Sequence, residues 1–200
     1  MSDYLGPVSD GPIWPAIHNF ETTPPDFELP LLSASGGSYS SGIGSNPNSN
    51  MFVSPGRGYK VSNTTGTVIF GPIDVSSAAS ATFKLRLASF SLTPGNGANA
   101  NDTVTISIST DGGTTYSEEL LVKGASGNMR WGFDATGSAT TSYSGTDTAV
   151  EFASSSGTNG ISYLEITEIP NVSNLQIKVE LHNNHSNEIW VIDDAEVWGN

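Results

Sequence analysis

A chain of 200 residues with a formal charge of −13 and no cysteine excludes several classes of protein. The 20 acidic residues outnumber the 7 basic ones, so we expect no nucleic-acid partner, because the attraction to phosphate would become repulsion. The lack of cysteine excludes disulfides, thiol nucleophiles and thiolate metal sites. No run approaches the roughly eighteen apolar residues of a membrane-spanning helix, so we expect no membrane insertion.

The beginning of the sequence predicts an extended arm rather than a folded element. Pro7, Pro12 and Pro15 stand among glycines, which prevents a helix and removes backbone donors that a central strand needs. We therefore expect a Pro/Gly-rich arm over residues 1–16 and a single domain over residues 17–200.

The segment from Ser33 to Asn50, SASGGSYSSGIGSNPNSN, is too poor in apolar residues to predict a core element. We expect a surface loop there, or an excursion that lies over a core element. From Met51 onward, short β-branched or aromatic runs separated by Gly, Pro and Asn predict strands. These runs are MFVS, GYKVS and GTVIFGPIDVS.

Two runs in the middle of the chain alternate between apolar and polar residues, as half-buried strands do. In ATFKLRLASFSL, Phe83 and Leu85 fall on one face, and Lys84 and Arg86 fall on the other. In DTVTISISTDGGTTYSEELLV, apolar residues alternate with Ser and Thr up to the DGG at 111–113. That DGG supplies the positive φ angles of a hairpin turn, so we expect the two halves of this run to pair.

The remaining runs complete an all-β pattern. They are MRWGFDA, AVEFA, ISYLEITEI, NLQIKVELHNN and EIWVIDDAEVW. No segment shows a sustained helical period, and no βαβ alternation is present. We therefore predict an antiparallel β-sandwich of jelly-roll type with about ten to twelve strands.

The last run places Asp193 and Asp194 side by side among apolar residues. Strict alternation puts Asp193 on the same face as Val191 and Val197, where a bare carboxylate is costly to bury. A bound cation would compensate this charge, and calcium suits carboxylate and carbonyl oxygens. The alternative is that both acids cap turns or face solvent.

Aromatic side chains raise the question of a sugar-binding platform. Tyr39 and Tyr143 fall in predicted loops, so we expect these two to be ligand-binding rim residues. The other candidates are expected in the core or between the sheets, which is also the alternative for both tyrosines. They are Trp14, Tyr59, Trp131 and Trp198.

Patterns typical of catalysis are weak, so we expect no enzyme. There is no GxSxG elbow, and Glu118, Glu119, Glu151, Glu165 and Glu168 lie in strand-like runs where solvated faces explain them. The HNNH motif, with His182 and His185, has no evident third ligand for a transition metal. The oxygen-rich segment from Pro94 to Asp102 lacks the spacing of an EF-hand, so we expect a plain hairpin loop there.

Several segments together resemble jelly-roll modules of secreted and surface proteins from Bacteroidetes-type bacteria, namely the galactose-binding-like, MAM-like and cleaved-adhesin domains. The resemblance covers roughly residues 17–199, and the opening arm does not match it. Its most specific parts are the hairpin STDGGTTY and the terminal IDD. The other matching segments are NFE, GYKVSNTTGTVIFGPIDVSS, TFKLRLASFSL and WVIDDAEVWG.

The resemblance implies a structural calcium ion that joins an early acid to the last strand, carried here by Glu21 with Asp193 or Asp194. It also implies a secreted or cell-surface location. With the acidic composition, it favours a non-catalytic binding or adhesion module that recognises a glycan or a surface. The alternative is a structural subunit of a filament, surface layer or virion that self-associates through residues 1–16 by adding its arm to a neighbour's sheet.

Overall fold

The computed structural model describes residues 15–22 and 28–200, in which thirteen β-strands and one turn of 3₁₀ helix, Gly157–Asn159, occur. Residues 1–14 of the predicted arm lie outside the described residues, and Ala16 begins β1. Among the described residues no helix is long and apolar enough to cross a bilayer. The strands are β1 (Ala16–His18), β2 (Leu31–Ser35), β3 (Ser38–Ser40), β4 (Gly58–Val61), β5 (Thr65–Ile73), β6 (Ala81–Ser91), β7 (Thr103–Ser109), β8 (Ser117–Gly124), β9 (Gly137–Ser142), β10 (Val150–Ser154), β11 (Ile161–Ile169), β12 (Leu175–His182) and β13 (Glu188–Gly199).

The strands form two facing sheets. Sheet A has the order β3-β4-β13-β6-β11-β9, with β1 also paired to β13, and sheet B has the order β10-β8-β7-β12-β5-β2. From β8 onward every connection passes from one sheet to the other. The predicted β-sandwich is confirmed, and it contains one strand more than the expected upper number.

The pairing is antiparallel except at two sheet edges, where β10 pairs with β8 and β9 pairs with β11 in parallel. Parallel neighbours need a crossover connection, and both pairs have one because β9 and β10 lie in opposite sheets. The direction of an edge strand is set by this crossover, so the sequence pattern of the strand itself did not indicate it.

The core lies between the sheets and follows the predicted alternation. Phe83, Leu85 and Leu87 of β6 are buried, whereas Lys84 and Arg86 between them are partly exposed. A smaller apolar cluster covers the outer face of sheet A with loop residues above strand residues. It consists of Met51, Ala88, Phe90, Phe133, Ile189 and Val191.

Three local predictions of secondary structure are wrong. The expected loop over residues 33–50 contains the end of β2 and all of β3. An edge strand can form without burying an apolar face, because backbone pairing with one neighbouring strand is enough to hold it. Conversely, MFVS and MRWGFDA are not strands, and the second makes only isolated bridges, between Trp131 and Ser89 and between Met129 and Ala98.

Strand β13 contains a bulge that reverses the expected orientation of its second half. Its register against β6 shifts between Asp193 and Glu196, and Asp194 has φ 42°. Trp190 and Ile192 face the core before the bulge, and Ala195 and Val197 face it afterwards. The bulge lies where the other neighbour of β13 changes from β4 to β1. The predicted strict alternation therefore fails at Asp194, because a bulge adds one residue to the strand.

Candidate functional site

A polar pocket of about 290 Å³ lies at one end of sheet B, between the β7–β8 turn and the loop that follows β9. We call it the hairpin pocket. Its walls carry two aromatic rings, a carboxylate and several hydroxyl groups, which are the side chains that bind hydroxylated ligands. It is lined by Ile108, Thr110, Thr115, Tyr116, Ser117, Tyr143, Gly145 and Asp147.

The hairpin wall is held by Asp111. Its carboxylate accepts hydrogen bonds from Ser109 Oγ at 2.8 Å and from the Thr114 and Thr115 amides at 3.0 Å each. Gly112 and Gly113 have φ values of 76° and 87°, which confirms the predicted turn. Bonds from Thr115 lower the pKa of Asp111 to about 2, so this carboxylate stays ionised at physiological pH.

The opposite wall is held by a buried acid, Glu119, which is 1% exposed. Its Oε2 accepts from the amide and hydroxyl of Ser144 at 2.8 and 2.9 Å, and its Oε1 accepts from the Gly145 amide at 2.9 Å. Glu119 was expected on a solvated face, and this is wrong because a register shift in the pairing of β8 with β7 occurs beside it. Asp147 is fixed separately, by the Glu118 amide at 3.1 Å.

The two tyrosines of the pocket are fixed in different ways. Tyr116 Oη donates to Gln176 Oε1 at 2.7 Å, and the Lys178 ammonium lies 5.2 Å from its ring centroid. Tyr143 is partly buried and lies against Gly145, where a Cβ would approach Tyr143 Oη to 2.9 Å. Tyr143 was singled out in the sequence, and Tyr116 was missed although its place directly after the turn indicated a rim position.

Tyr39 does not join this pocket. It lies on β3 and is 42% exposed, and the Arg57 guanidinium lies 4.0 Å from its ring centroid. Strand β3 forms one edge of sheet A, whereas Tyr143 follows β9 at the opposite edge. Five strand spacings separate these edges, or about 24 Å. The structure therefore does not bring the two predicted ligand residues together.

A second aromatic surface lies on the outer face of sheet A, and sequence reasoning missed it. Tyr163 is 47% exposed and Trp198 is 36% exposed. We call this surface the Trp198 face, and it consists of Lys84, Arg86, Tyr163, Glu165, Glu196 and Trp198. Trp131, another aromatic candidate, is fully buried.

Cationic side chains lie over both aromatic rings of the Trp198 face. The Lys84 ammonium lies 5.0 Å from the centroid of the Trp198 ring, and the Arg86 guanidinium lies 4.1 Å from that of Tyr163. Trp198 Nε1 donates to Glu196 Oε2 at 2.7 Å, and Lys84 lies 3.7 Å from Glu165. The charged side chains of this surface therefore already have partners.

Asp193 is fully buried against the loop that precedes β4. Its Oδ2 accepts from the amides of Val53 at 2.6 Å and Ser54 at 3.2 Å, and its Oδ1 accepts from the Asp194 amide at 2.9 Å. Burial nevertheless raises the pKa of Asp193 to about 7. Because the folded-state pKa exceeds the unfolded one, this group favours folding most below about pH 4, and its contribution declines as pH rises to about 7.

The other two predicted metal ligands contact the same loop. Asp194 Oδ1 accepts from Ser54 Oγ, and Glu21 Oε1 accepts from the Arg57 amide at 2.8 Å. The Glu21 carboxylate also leaves no room for a side chain at Gly56, which has φ 135°. The structure thus gathers Glu21, Asp193 and Asp194 around residues 53–57.

The acids around residues 53–57 offer few side chains that could bind one metal ion. Within residues 15–22 and 28–200, no three His, Asp or Glu side chains are placed to hold one metal ion. A calcium ion here would therefore rely on no more than two carboxylates, with backbone or hydroxyl oxygens completing its shell. The chemistry fits in one respect, because no ion pair to Lys or Arg involves these three acids in the described part of the chain.

Comparisons with known proteins give weak likenesses. No protein-family model matches the sequence, and no curated protein matches it. Similar solved structures include TmCBM61 in complex with β-1,4-galactotriose, with a TM-score of 0.47 and 10% identity over 92% of this chain and 99% of that one. The K3 cleaved adhesin domain of Lys-gingipain from Porphyromonas gingivalis has a TM-score of 0.45 and 6% identity over 96% and 95% of the two chains. A family 16 carbohydrate-binding module has a TM-score of 0.37 and 12% identity over 86% and 88%. All three scores lie below 0.5, so these likenesses do not assign a function.

Proposed function

We propose that the chain is a non-catalytic glycan-binding module of an extracellular or cell-surface protein, and that the hairpin pocket holds a sugar unit. The observation that carries this proposal is the meeting of Tyr116, Tyr143 and Asp147 around one pocket. Aromatic rings stack on the apolar faces of sugars, and a carboxylate and hydroxyls accept their O–H groups. At about 290 Å³ the pocket is at the small end of ligand sites, which suits one or two sugar units.

The electrostatics of the pocket support binding rather than hydrolysis. A glycosidase needs a general acid with a raised pKa opposite a second carboxylate. Asp111, beside the pocket, has its pKa lowered to about 2, the opposite of what a general acid requires. Asp147 lines the pocket, and its Oδ1 accepts a hydrogen bond from the Glu118 amide. Asp147 is therefore the carboxylate placed to accept hydrogen bonds from ligand hydroxyls, whereas Asp111 holds the turn beside it.

Retention on immobilised polysaccharides tests the proposal. A panel of plant, algal and host polysaccharides is used with the full chain in calcium buffer. We expect retention by at least one polymer, and we expect Tyr143→Ala to weaken that affinity about tenfold through the loss of one stacked ring. Tyr39→Ala is the matched control and should leave retention unchanged. Binding of no polymer, or an equal loss in both variants, contradicts the proposal.

A structural calcium ion held by Glu21 and Asp194 is part of the same proposal. Asp193 is already supplied with three backbone donors, so Asp194 and Glu21 are better suited to offer free carboxylate oxygens. The ion would supply positive charge between acids that have no basic partner in the described residues. Ser54 and Arg57 then orient the two carboxylates through the remaining oxygen of each.

Thermal melts with chelator and with millimolar calcium test this ion. At calcium concentrations of about 100 times Kd, the ion adds about 2.7 kcal/mol of stability. We expect Glu21→Gln and Asp194→Asn each to remove most of this gain, whereas Glu165→Gln on the Trp198 face should retain it. If both variants respond to calcium as the wild type does, these residues do not hold the ion. The alternative of self-association through residues 1–16 concerns residues mostly outside the described ranges and stays a prediction.

A further inference from the structure

A second pocket, of about 250 Å³, lies beside the apolar cluster that covers the outer face of sheet A. We call it the Phe133 pocket, and none of its residues lines the hairpin pocket. Its walls combine two aromatic rings with a hydroxyl, an amide and a carboxylate. It is lined by Ser49, Asn50, Phe52, Phe133 and Asp134.

The Ser49 hydroxyl is an open hydrogen-bonding position in this pocket. Its Oγ is buried and has no hydrogen-bond partner among the residues that the structure describes. A buried hydroxyl that stays without a partner costs about 1–3 kcal/mol. A group from outside the chain is therefore needed to satisfy Ser49, and the pocket is where such a group can reach it.

A glycine lets the carboxylate of Asp134 approach the same place. A Cβ at Gly132 would lie 2.7 Å from Ser49 Oγ and 2.7 Å from Asp134 Oδ1, so both oxygens approach one point beside the glycine. They do not bond to each other, because Ser49 Oγ has no partner. Within residues 15–22 and 28–200, no ion pair involves Asp134 either. A hydroxyl and a carboxylate are therefore both free to bond to one ligand.

Hydrogen bonds hold both walls of the Phe133 pocket. The Ser49 carbonyl accepts from the Gly44 amide at 2.8 Å, which closes the loop that carries Ser49. On the other wall, the Phe133 carbonyl accepts from Ser162 Oγ at 3.1 Å and also from Arg86 Nη2. The walls are thus fixed before any ligand binds, which keeps the entropy cost of binding low.

We propose that the Phe133 pocket is a second glycan-binding site, which holds one sugar unit independently of the hairpin pocket. The rings of Phe52 and Phe133 offer an apolar surface to the C–H face of a sugar. Ser49 and Asp134 bond to its hydroxyl groups. A volume of about 250 Å³ lies just below the usual range of ligand pockets, which suits a single unit.

The inference rests on the proposed glycan binding and extends it to two glycan segments on one chain. Phe133 is only 8% exposed, so little of its ring surface is available to a ligand. We therefore expect the Phe133 pocket to be the weaker of the two sites.

Titration of the ¹⁵N-labelled full chain with methyl glycosides tests the site. The probes are the methyl pyranosides of glucose, galactose and mannose. We expect at least one of them to give saturable amide shifts at residues 49–52 and 132–134. Residues 110–117 and 143–147 report on the hairpin pocket, so the failure of one site is distinguished from the failure of the other. Saturable shifts at the hairpin pocket alone overturn the second site and leave the proposed function standing. No saturable shift at residues 49–52 and 132–134 with any probe also overturns it.

Gly132→Ala is the variant that blocks the pocket. Its methyl group displaces Ser49 Oγ and Asp134 Oδ1, and Gly132 does not need a positive φ, so we expect the chain to fold. The affinity measured at residues 49–52 should fall about tenfold, as for the loss of one hydrogen bond to a carboxylate, while that of the hairpin pocket is unchanged. Gly127→Ala is the matched control, because a Cβ there meets no atom within 4 Å.

Asp134→Ala changes an exposed residue and gives the same readout if Gly132→Ala does not fold. We expect it to weaken binding at residues 49–52 by a similar factor. Unchanged affinity at these residues in either folded variant overturns the proposal.

Discussion

The hairpin pocket and the Trp198 face both present aromatic rings beside charged groups, yet they differ in what those groups already contact. On the Trp198 face, Lys84 and Arg86 lie over the two rings, and the nearby acids are paired. In the pocket, Lys178 lies near the Tyr116 ring, but no cation lies over Tyr143 among the described residues, and the buried acid holds the wall beside it. Exposure of a ring alone therefore does not identify a binding surface.

Two glutamates show the same difference. Glu119 is buried and accepts three hydrogen bonds from the Ser144–Gly145 segment, which fixes a loop. Glu165 is partly exposed and faces Lys84 at 3.7 Å, a distance at which an exposed pair adds little stability. In the pocket, the Glu119 carboxylate fixes the wall from its buried side, whereas the Glu165 carboxylate of the Trp198 face lies at the surface.

Replacing Glu119 should give the largest effect. In Glu119→Ala, the amides of Ser144 and Gly145 lose their acceptor, so we expect a loss of about 2–3 kcal/mol in the free energy of unfolding. Urea denaturation measures this loss. Glu165→Ala is the control and should change stability by less than about 0.5 kcal/mol. Equal effects in the two variants contradict the distinction between the surfaces.

Changing the ionisation of Asp111 should give an intermediate effect that depends on pH. The folded-state pKa is lowered to about 2, so the contribution of this group is complete above the ordinary value near 4 and is lost as pH falls toward 2. Because Asp111 stays ionised from pH 8 to pH 5, we expect its contribution to glycan retention to be constant over that range. Asp111→Asn should reduce retention several-fold across that range.

The matching measurement is a carbon-detected NMR titration of the Asp111 carboxyl group. We expect a midpoint near pH 2 in the folded chain. A midpoint at or above the ordinary value would mean that the turn does not hold the carboxylate as the structure shows.

Changes on the Trp198 face should have the smallest effect on binding. Trp198→Ala removes a ring that already interacts with Lys84 and Glu196, so we expect glycan retention within twofold of the wild type. Affinity electrophoresis against the retained polymer measures this. A tenfold loss would mean that the glycan binds at the Trp198 face and not in the hairpin pocket.

Regular strands were predictable from the sequence because burial on one face imposes a period of two. The alternation of β6 and the DGG turn between β7 and β8 both appear in the structure as expected. The bulge at Asp194 was not predictable, because one inserted residue leaves the composition unchanged while reversing the faces after it. Edge strand β3 was missed because it buries no apolar face.

The candidate site was predictable only in part. Tyr143 was identified as a loop aromatic, and its loop does line the pocket. Tyr39 fitted the same description but lies at the opposite edge of sheet A. The role of Glu119 depends on a loop about 25 residues further along the chain, so its partners cannot be inferred from neighbouring residues. Convergence of side chains from separate strands is a property of the fold and not of any segment.

The most direct test of the hairpin pocket as the glycan site is chemical-shift mapping of the ¹⁵N-labelled chain with a fragment of the retained polysaccharide. We predict that the largest amide shifts fall at residues 110–117 and 143–147, with no comparable change at Tyr163 or Trp198. The largest shifts on the Trp198 face, with an undisturbed hairpin pocket, would contradict this assignment.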